Sequence, residues 1–280
     1  MEPTALLEWA VPQLRDLPWR HTRDPWAVLV SEVMLQQTQA LRVIPKWIAF
    51  LDEFPTAAEC AAAPLGDVLR LWQGLGYPRR ARNLHAAASE VTRLGGFPRD
   101  LPGLLALPGV GAYTARAVLA FAFEADAAVV DTNVARIFAR QLGRRLTGSE
   151  VQRLADDMLV EALEVGDPWS WNQSVMELGA LLCRPQSPRC EECPVQATCA
   201  WRGGVEDDPA QGSAGVSRAQ GRFEGSARQA RGRLMRALTE SAVHVDDLDR
   251  VMRHPSAVAL ADALCNEGLV RRDGQLLQLP

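Results

Sequence analysis

The chain has 280 residues, enough for one large domain or two to three of ordinary size. Its 48% hydrophobic and 23% charged residues exclude wholesale disorder. The lack of any run of about 18 consecutive apolar residues argues against a membrane span. The N-terminal MEPTALLEWAVPQLRD carries no basic leader and reads as part of the fold, so the expected location is the cytoplasm. A net charge of −4 does not exclude a phosphate-bearing partner, because the charge is unevenly spread. Residues 70–145 hold eleven Arg against Glu90, Asp100, Glu124, Asp126 and Asp131, a local balance of +6. Screening limits exposed charges to about 10 Å of reach, so a basic face can work on an acidic protein. The same run also fits a solvated helical surface.

In chain order, residues 1–203 read as mostly helical, with apolar stripes at i, i+3 and i+4 broken by Pro and Gly. Residues 28–47 and 115–123 are the clearest stretches, and nothing alternates long enough for an extended sheet. Composition then changes abruptly: GGVEDDPAQGSAGVSRAQ, residues 204–221, reads as a flexible linker. Beyond it, residues 231–239, 245–252 and 257–267 predict three short helices, and 269–279 predict a hairpin around Asp273-Gly274. Three helices and a hairpin suggest a small winged-helix-like module over 222–280. Residues 222–236 hold five arginines against one acid. That run suits phosphate contact or an ordinary solvated helix start.

Four of the six cysteines, Cys183, Cys190, Cys193 and Cys199, form a C-x6-C-x2-C-x5-C run. Disulfides are disfavoured in a cytoplasmic chain of this size. Four thiolates in one loop suit Zn²⁺ or an iron–sulfur cluster, and spacing alone does not choose between them. Cys60 and Cys265 stand apart and read as buried thiols.

Leu107-Pro-Gly-Val-Gly111 lies between two apolar helical stretches. Its glycines allow a tight turn, and the next helix offers N–H groups and a positive dipole end to a phosphate; a plain interhelical turn would look the same. Glu32 lies in the apolar run VLVSEVML, where a carboxyl is costly to ionise and suits a general acid, unless it reaches water at the helix edge. Asp131 follows Val129-Val130 and opens DTNVAR. It serves equally as a helix N-cap and as a carboxylate facing a cleft.

Leu17-Pro-Trp-Arg20, Ser31-Glu-Val-Met-Leu-Gln-Gln-Thr38, Gly74-Leu-Gly-Tyr77, Leu107-Pro-Gly-Val-Gly-Ala-Tyr-Thr114, Asp131-Thr-Asn133 and the cysteine run together resemble the adenine DNA glycosylases of the MutY type. These belong to the helix-hairpin-helix base-excision superfamily that includes endonuclease III. The resemblance covers residues 1–203 and implies a mostly α, two-lobed fold with a [4Fe–4S] cluster on the four cysteines. It places residues 22–125 in a six-helix barrel, and residues 1–21 with 126–203 in the cluster lobe. Glu32 then comes from one lobe and Asp131 from the junction with the other.

The resemblance also implies roles. Glu32 protonates N7 of the flipped adenine and Asp131 stabilises the positive sugar left behind, with Tyr113 and Asn133 positioning them. Leu17, Trp19, Arg20 and Gln173 form the adenine pocket. Gln37 and Tyr77 enter the base stack, Thr38 and Leu75 lie beside an oxidised guanine, and Gly109 and Gly111 meet the DNA backbone. The expected partner is double-stranded DNA with adenine opposite 8-oxoguanine or guanine, and the expected state is a monomer that gathers on the nucleoid when bound.

Two departures matter. Lyases of the endonuclease III type carry a nucleophilic lysine where this chain has Tyr113, and Lys46 is its only lysine, so a monofunctional enzyme is expected. Residues 223–280 are too short for the Nudix-like domain of many relatives and hold no Phe-Ser-His, which loosens the expectation for the opposite base. A relative acting on thymine or uracil opposite guanine is the rival in chemistry. A non-enzymatic iron–sulfur regulator is the rival in class.

Overall fold

The computed structural model describes residues 1–204, 207–213 and 221–280. In chain order it forms α1 (Pro3–Ala10), α2 (Pro25–Leu35), α3 (Ala40–Glu53), α4 (Ala57–Ala62), α5 (Leu65–Leu71), α6 (Arg79–Leu94), α7 (Leu101–Leu105), α8 (Ala112–Ala122), α9 (Thr132–Leu142), α10 (Gly148–Ala162) and α11 (Pro168–Leu181). Then come α12 (Ala227–Glu240), α13 (Leu248–Met252) and α14 (Ala257–Asn266). Among the described residues strands are confined to β1 (Val243–His244), β2 (Arg271–Asp273) and β3 (Leu276–Gln278), in the antiparallel order β1-β3-β2. The fold is mostly α, as expected.

Helix starts follow from short polar caps that satisfy first-turn N–H groups. Asp24 accepts from the amides of Trp26 and Ala27 to open α2, and Asp167 accepts from Ser170 to open α11. Capping boxes Thr56/Glu59 and Thr147/Glu150 open α4 and α10. Helices α6 and α9 stop at glycines in the left-handed region, Gly95 and Gly143.

The expected continuous helix over 28–47 is two helices. Gln36–Gln39 interrupt it, with Gln37 at φ +56°. The hairpin turns one residue later than expected: Asp273 pairs with Leu276, leaving Gly274 and Gln275 as the loop, with Gly274 at φ +58°. Glycine supplies that left-handed conformation without a Cβ clash. Strand β1, two residues long, carries no alternation that could have announced it.

The chain divides into two compact units, residues 1–28, 99–102 and 111–218 in one and 29–98, 103–110 and 219–280 in the other. In the first unit, α8 packs on α11, and α1, α9, α10 and α11 enclose a core including Leu6, Val134, Ile137, Phe138, Trp171 and Leu178. In the second, α6 packs on α4 and α5, and Phe50 meets Phe54 and Trp72 edge-on at 5.2 and 6.2 Å. Residues 221–280 belong to this second unit.

Of the expected linker, residues 205–206 and 214–220 lie outside the described residues. The part between them packs against the first unit: Ala210 and Ser213 are buried, and Ser213 Oγ accepts from the Leu146 amide at 3.2 Å. No helix among the described residues is long and apolar enough to cross a membrane.

Candidate active site

Glu32 sits in the second unit, on the last turns of α2, where residues 26–34 are buried without a break. It is 4% exposed. The same unit holds Gln37, exposed, Thr38 and Tyr77, half-buried, and Leu75, buried. Tyr77, like Gln37, has a left-handed backbone, at φ +50°.

One side chain ties the two loops together. Arg80 Nη1 donates to the carbonyls of Val33, Met34 and Gln36 at 2.8, 3.0 and 2.6 Å. Its Nη2 donates to Thr38 Oγ1 at 3.3 Å and to the carbonyls of Leu75 and Gly76 at 3.0 and 3.2 Å. The guanidinium also lies 5.5 Å from the Trp72 ring centroid and 5.4 Å from that of Tyr77. Burial pushes its pKa down to about 10, so it remains charged at neutral pH. The four residues expected beside the base stack are thus held on loops stapled by one arginine.

At the hairpin, Gly109 has φ +76°, and a Cβ there would lie 2.6 Å from Asn83 Cβ. Both the backbone conformation and the close approach require glycine. Gly111 opens α8, which no side chain caps, so the first-turn amides follow directly on the exposed glycines Gly109 and Gly111. Tyr113, the second residue of α8, is half-buried.

Asp131 belongs to the first unit and caps α9. Its Oδ1 accepts from the amides of Asn133 and Val134 at 2.8 and 2.7 Å, and its Oδ2 from Asn133 Nδ2 at 2.8 Å. Burial pushes this carboxyl above the usual range, while those donors and the Arg136 charge pull it back. Asn133 Oδ1 in turn accepts from Arg136 Nη2 at 2.8 Å, which also donates to the Gly179 carbonyl. Arg136 Nε donates to the Cys183 carbonyl at 2.7 Å. Glycine at 179 leaves room for Asn133, whose Cβ would lie 2.4 Å from an added Cβ. Capping and a fixed carboxylate thus coexist.

The residues expected to form the adenine pocket belong to the same unit. Leu17, Trp19, Arg20 and Gln173 are all buried, and Arg20 Nε donates to Gln173 Oε1 at 2.8 Å. Beneath them lies Glu177, fully buried, which accepts from Arg20 Nη2 at 2.8 Å and from Arg15 Nε and Nη2 at 2.6 and 3.1 Å. Burial alone would raise the Glu177 carboxyl, but the two arginines outweigh it and hold the group below the ordinary range.

The four cysteines are half-buried and unpaired by disulfides. They line one pocket together with Arg140, Trp201 and Arg202. Arg140 Nη1 donates to Cys183 Sγ at 3.4 Å and the Arg202 amide to Cys199 Sγ at 3.5 Å. Arg140 also stacks on Trp201 and pairs with Asp208 at 2.6 Å. Burial, with the neighbouring thiols, pushes Cys193 up to about 11. Among the described residues no group of three or more His, Cys, Asp or Glu is arranged to hold a single metal ion.

Residues 30–158 match the model of the HhH-GPD superfamily base excision DNA repair proteins. Along 97% of its length the chain is 42% identical to the adenine DNA glycosylase of Mycolicibacterium smegmatis, covering 93% of that protein. The chain belongs to the adenine DNA glycosylase family. Among solved structures, it is similar to a thermostable thymine-DNA glycosylase (30% identity, TM-score 0.65, 72% of this chain and 94% of that one). It shares its fold with endonuclease III trapped on DNA (24% identity, TM-score 0.60, 72% of this chain and 93% of that one).

Three side chains that brace the site escaped the sequence reading: Arg80, Arg140 and Glu177. Only Glu177 left a trace, a lone acid four residues after Gln173 on an apolar helix.

Proposed function

We propose that this member of the adenine DNA glycosylase family hydrolyses the N-glycosidic bond of adenine opposite guanine or 8-oxoguanine in duplex DNA, without cleaving the strand. Identity to an adenine DNA glycosylase over 97% of the chain carries the reading. The protein works in the cytoplasm, as a monomer on DNA.

Two obstacles must be met: adenine is a poor leaving group, and its departure leaves positive charge on the sugar. Glu32 donates a proton to N7, a step of use only for a purine, and this favours adenine over thymine or uracil. Asp131 faces the developing oxocarbenium ion, its carboxylate fixed by Asn133 and the α9 amides. Tyr113 positions the reacting groups, while Leu17, Trp19, Arg20 and Gln173 receive the extruded base. Flipping costs a few kcal/mol, and Gln37 and Tyr77 offset it by filling the vacated stack. Thr38 and Leu75 line the opposite base, and the Gly109–Gly111 turn holds a backbone phosphate.

Strand cleavage requires an amine nucleophile. Lys46, the only lysine, lies on α3 and donates to the Leu71 carbonyl at 3.3 Å, and Tyr113 occupies the hairpin position.

Cys183, Cys190, Cys193 and Cys199 suit a [4Fe–4S] cluster. Four thiols line one pocket, a guanidinium and a backbone amide donate to two of the sulfurs, and Gly203 leaves Cys190 the space that a Cβ would enter at 2.9 Å from its Sγ. A cluster bound there supplies a cross-link to the loop.

A panel of duplexes with adenine, thymine, uracil or hypoxanthine opposite guanine and 8-oxoguanine tests the proposal. Release of free adenine alone, with strand breaks only after alkali, is the expected result. Release of thymine or uracil, or strand breaks before alkali, would overturn it.

A further inference from the structure

Residues 221–280 pack inside the same compact unit as α3–α6, and two of their side chains reach the loop that carries Tyr77. Glu267, just beyond α14, accepts from Arg79 Nη2 at 2.6 Å and from both terminal nitrogens of Arg231 on α12 at 2.8 and 2.5 Å. Arg82 on α6 donates to the carbonyl of the same residue. Arg228 on α12 reaches the Tyr77 hydroxyl at 3.4 Å and lies 5.1 Å from the Phe223 ring centroid. The last carbonyl, that of Pro280, accepts from the Gly66 amide at 2.9 Å, and an added Cβ at Gly66 would come within 2.7 Å of it.

Two features of Tyr77 make this contact consequential. A left-handed backbone is costly for a residue with a Cβ, so the conformation persists only where its surroundings impose it. Arg79, two residues later, begins α6, so a charge pair at Glu267 fixes the exit of the loop. Hydrogen bonds from Arg79 and Arg231 hold the Glu267 carboxyl at about 2, and the clamp stays charged at any working pH. The basic run 222–236 is therefore largely spent on contacts within the protein: Arg231 on Glu267, Arg233 on the Met252 carbonyl at 3.1 Å, Arg222 on Glu224 and Arg228 on Tyr77.

We propose that the C-terminal segment positions Tyr77, through Glu267 acting on Arg79 and Arg228 acting on the Tyr77 hydroxyl, and thereby governs how readily the enzyme opens a base pair. The inference rests on the reading of Tyr77 as a side chain that enters the base stack.

The test measures single-turnover adenine release by the full chain on two duplexes at saturating protein. One has adenine paired opposite guanine; the other has adenine opposite a tetrahydrofuran abasic analogue, where no pair must be broken. Glu267→Gln and Arg228→Met should each slow release from the paired duplex about tenfold, and from the unpaired one by less than about twofold. Tyr77→Phe removes only the hydroxyl and should match Arg228→Met, the double variant being no slower than either single one. Should Glu267→Gln fold poorly, Arg79→Gln breaks the same pair from the other side. Equal slowing on both duplexes, additive effects of Tyr77→Phe and Arg228→Met, or unchanged rates on the paired duplex would overturn the proposal. Tyr77→Ala separates it from the reading beneath it. If that change leaves paired-duplex release unaltered, Tyr77 does not enter the stack; if it alone slows release, only the role of the C-terminal segment falls.

Discussion

Glu177→Gln removes one charge from a site where two guanidinium groups converge. The native carboxylate has no solvent exposure and receives three hydrogen bonds from guanidinium groups, two from Arg15 and one from Arg20, besides one from the Arg15 backbone amide. Glutamine keeps the shape but leaves buried Arg20, 8% exposed, without a counter-charge, and its amide NH₂ faces donors. Breaking a buried pair in this way costs about 3–5 kcal/mol. Arg15 is half exposed and recovers part of its hydration, so the lower end, about 3 kcal/mol, applies here. Urea unfolding at pH 7 should show that loss. Because folding lowers the Glu177 pKa from 4.5, the stability it contributes is complete above that value and disappears as pH falls through the lower folded-state value. The gap between native and variant protein should therefore hold above pH 4.5 and begin to close as pH falls below it. Arg20 also orients Gln173, so adenine release should slow as well. A gap under about 1 kcal/mol at pH 7, or one that widens in acid, would refute the reasoning.

Other consequences are as direct. Arg80→Met removes the guanidinium donors of six acceptors at the end of α2 and on the two loops and should cost about 3 kcal/mol in urea unfolding, while also weakening duplex binding; a loss below about 1 kcal/mol would show that water replaces the guanidinium. Asp131→Asn turns an NH₂ toward Asn133 Nδ2, and Asn133 cannot flip without losing Arg136. Single-turnover release should fall by at least about 10², and normal release would leave Asp131 as a helix cap alone. The purified protein should contain four irons on its cysteines, and Cys190→Ser should lower iron content and thermal midpoint together; one zinc and no iron in metal analysis would contradict the cluster.

Several of these groups show why parts of the molecule were legible in the sequence and others were not. Local rules read correctly: apolar periodicity located most of the helices, and the C-terminal helices and hairpin followed from caps, stripes and a glycine. Tertiary contacts decided the rest. The 36–39 break has no Gly or Pro to mark it, and Arg80, over forty residues away in sequence, holds it. Glycines and linker-like composition at 204–213 suggested a free segment, yet Asp208 is drawn in by Arg140 and Ser213 by Leu146. Helix α8 lies within the expected 22–125 lobe by sequence, and its packing on α11 is a tertiary contact that no local pattern announces. The same holds for Glu32 and Asp131, where sequence suggested two acids of different surroundings and structure supplied the burial and the donors.

Glu32→Gln tests the central claim most directly. The amide is isosteric with the carboxyl and cannot donate a proton to N7, so affinity for an adenine:guanine duplex should stay within about threefold while single-turnover adenine release falls by roughly 10²–10⁴. Release within about tenfold of the native rate, at unchanged affinity, would contradict general-acid catalysis by Glu32.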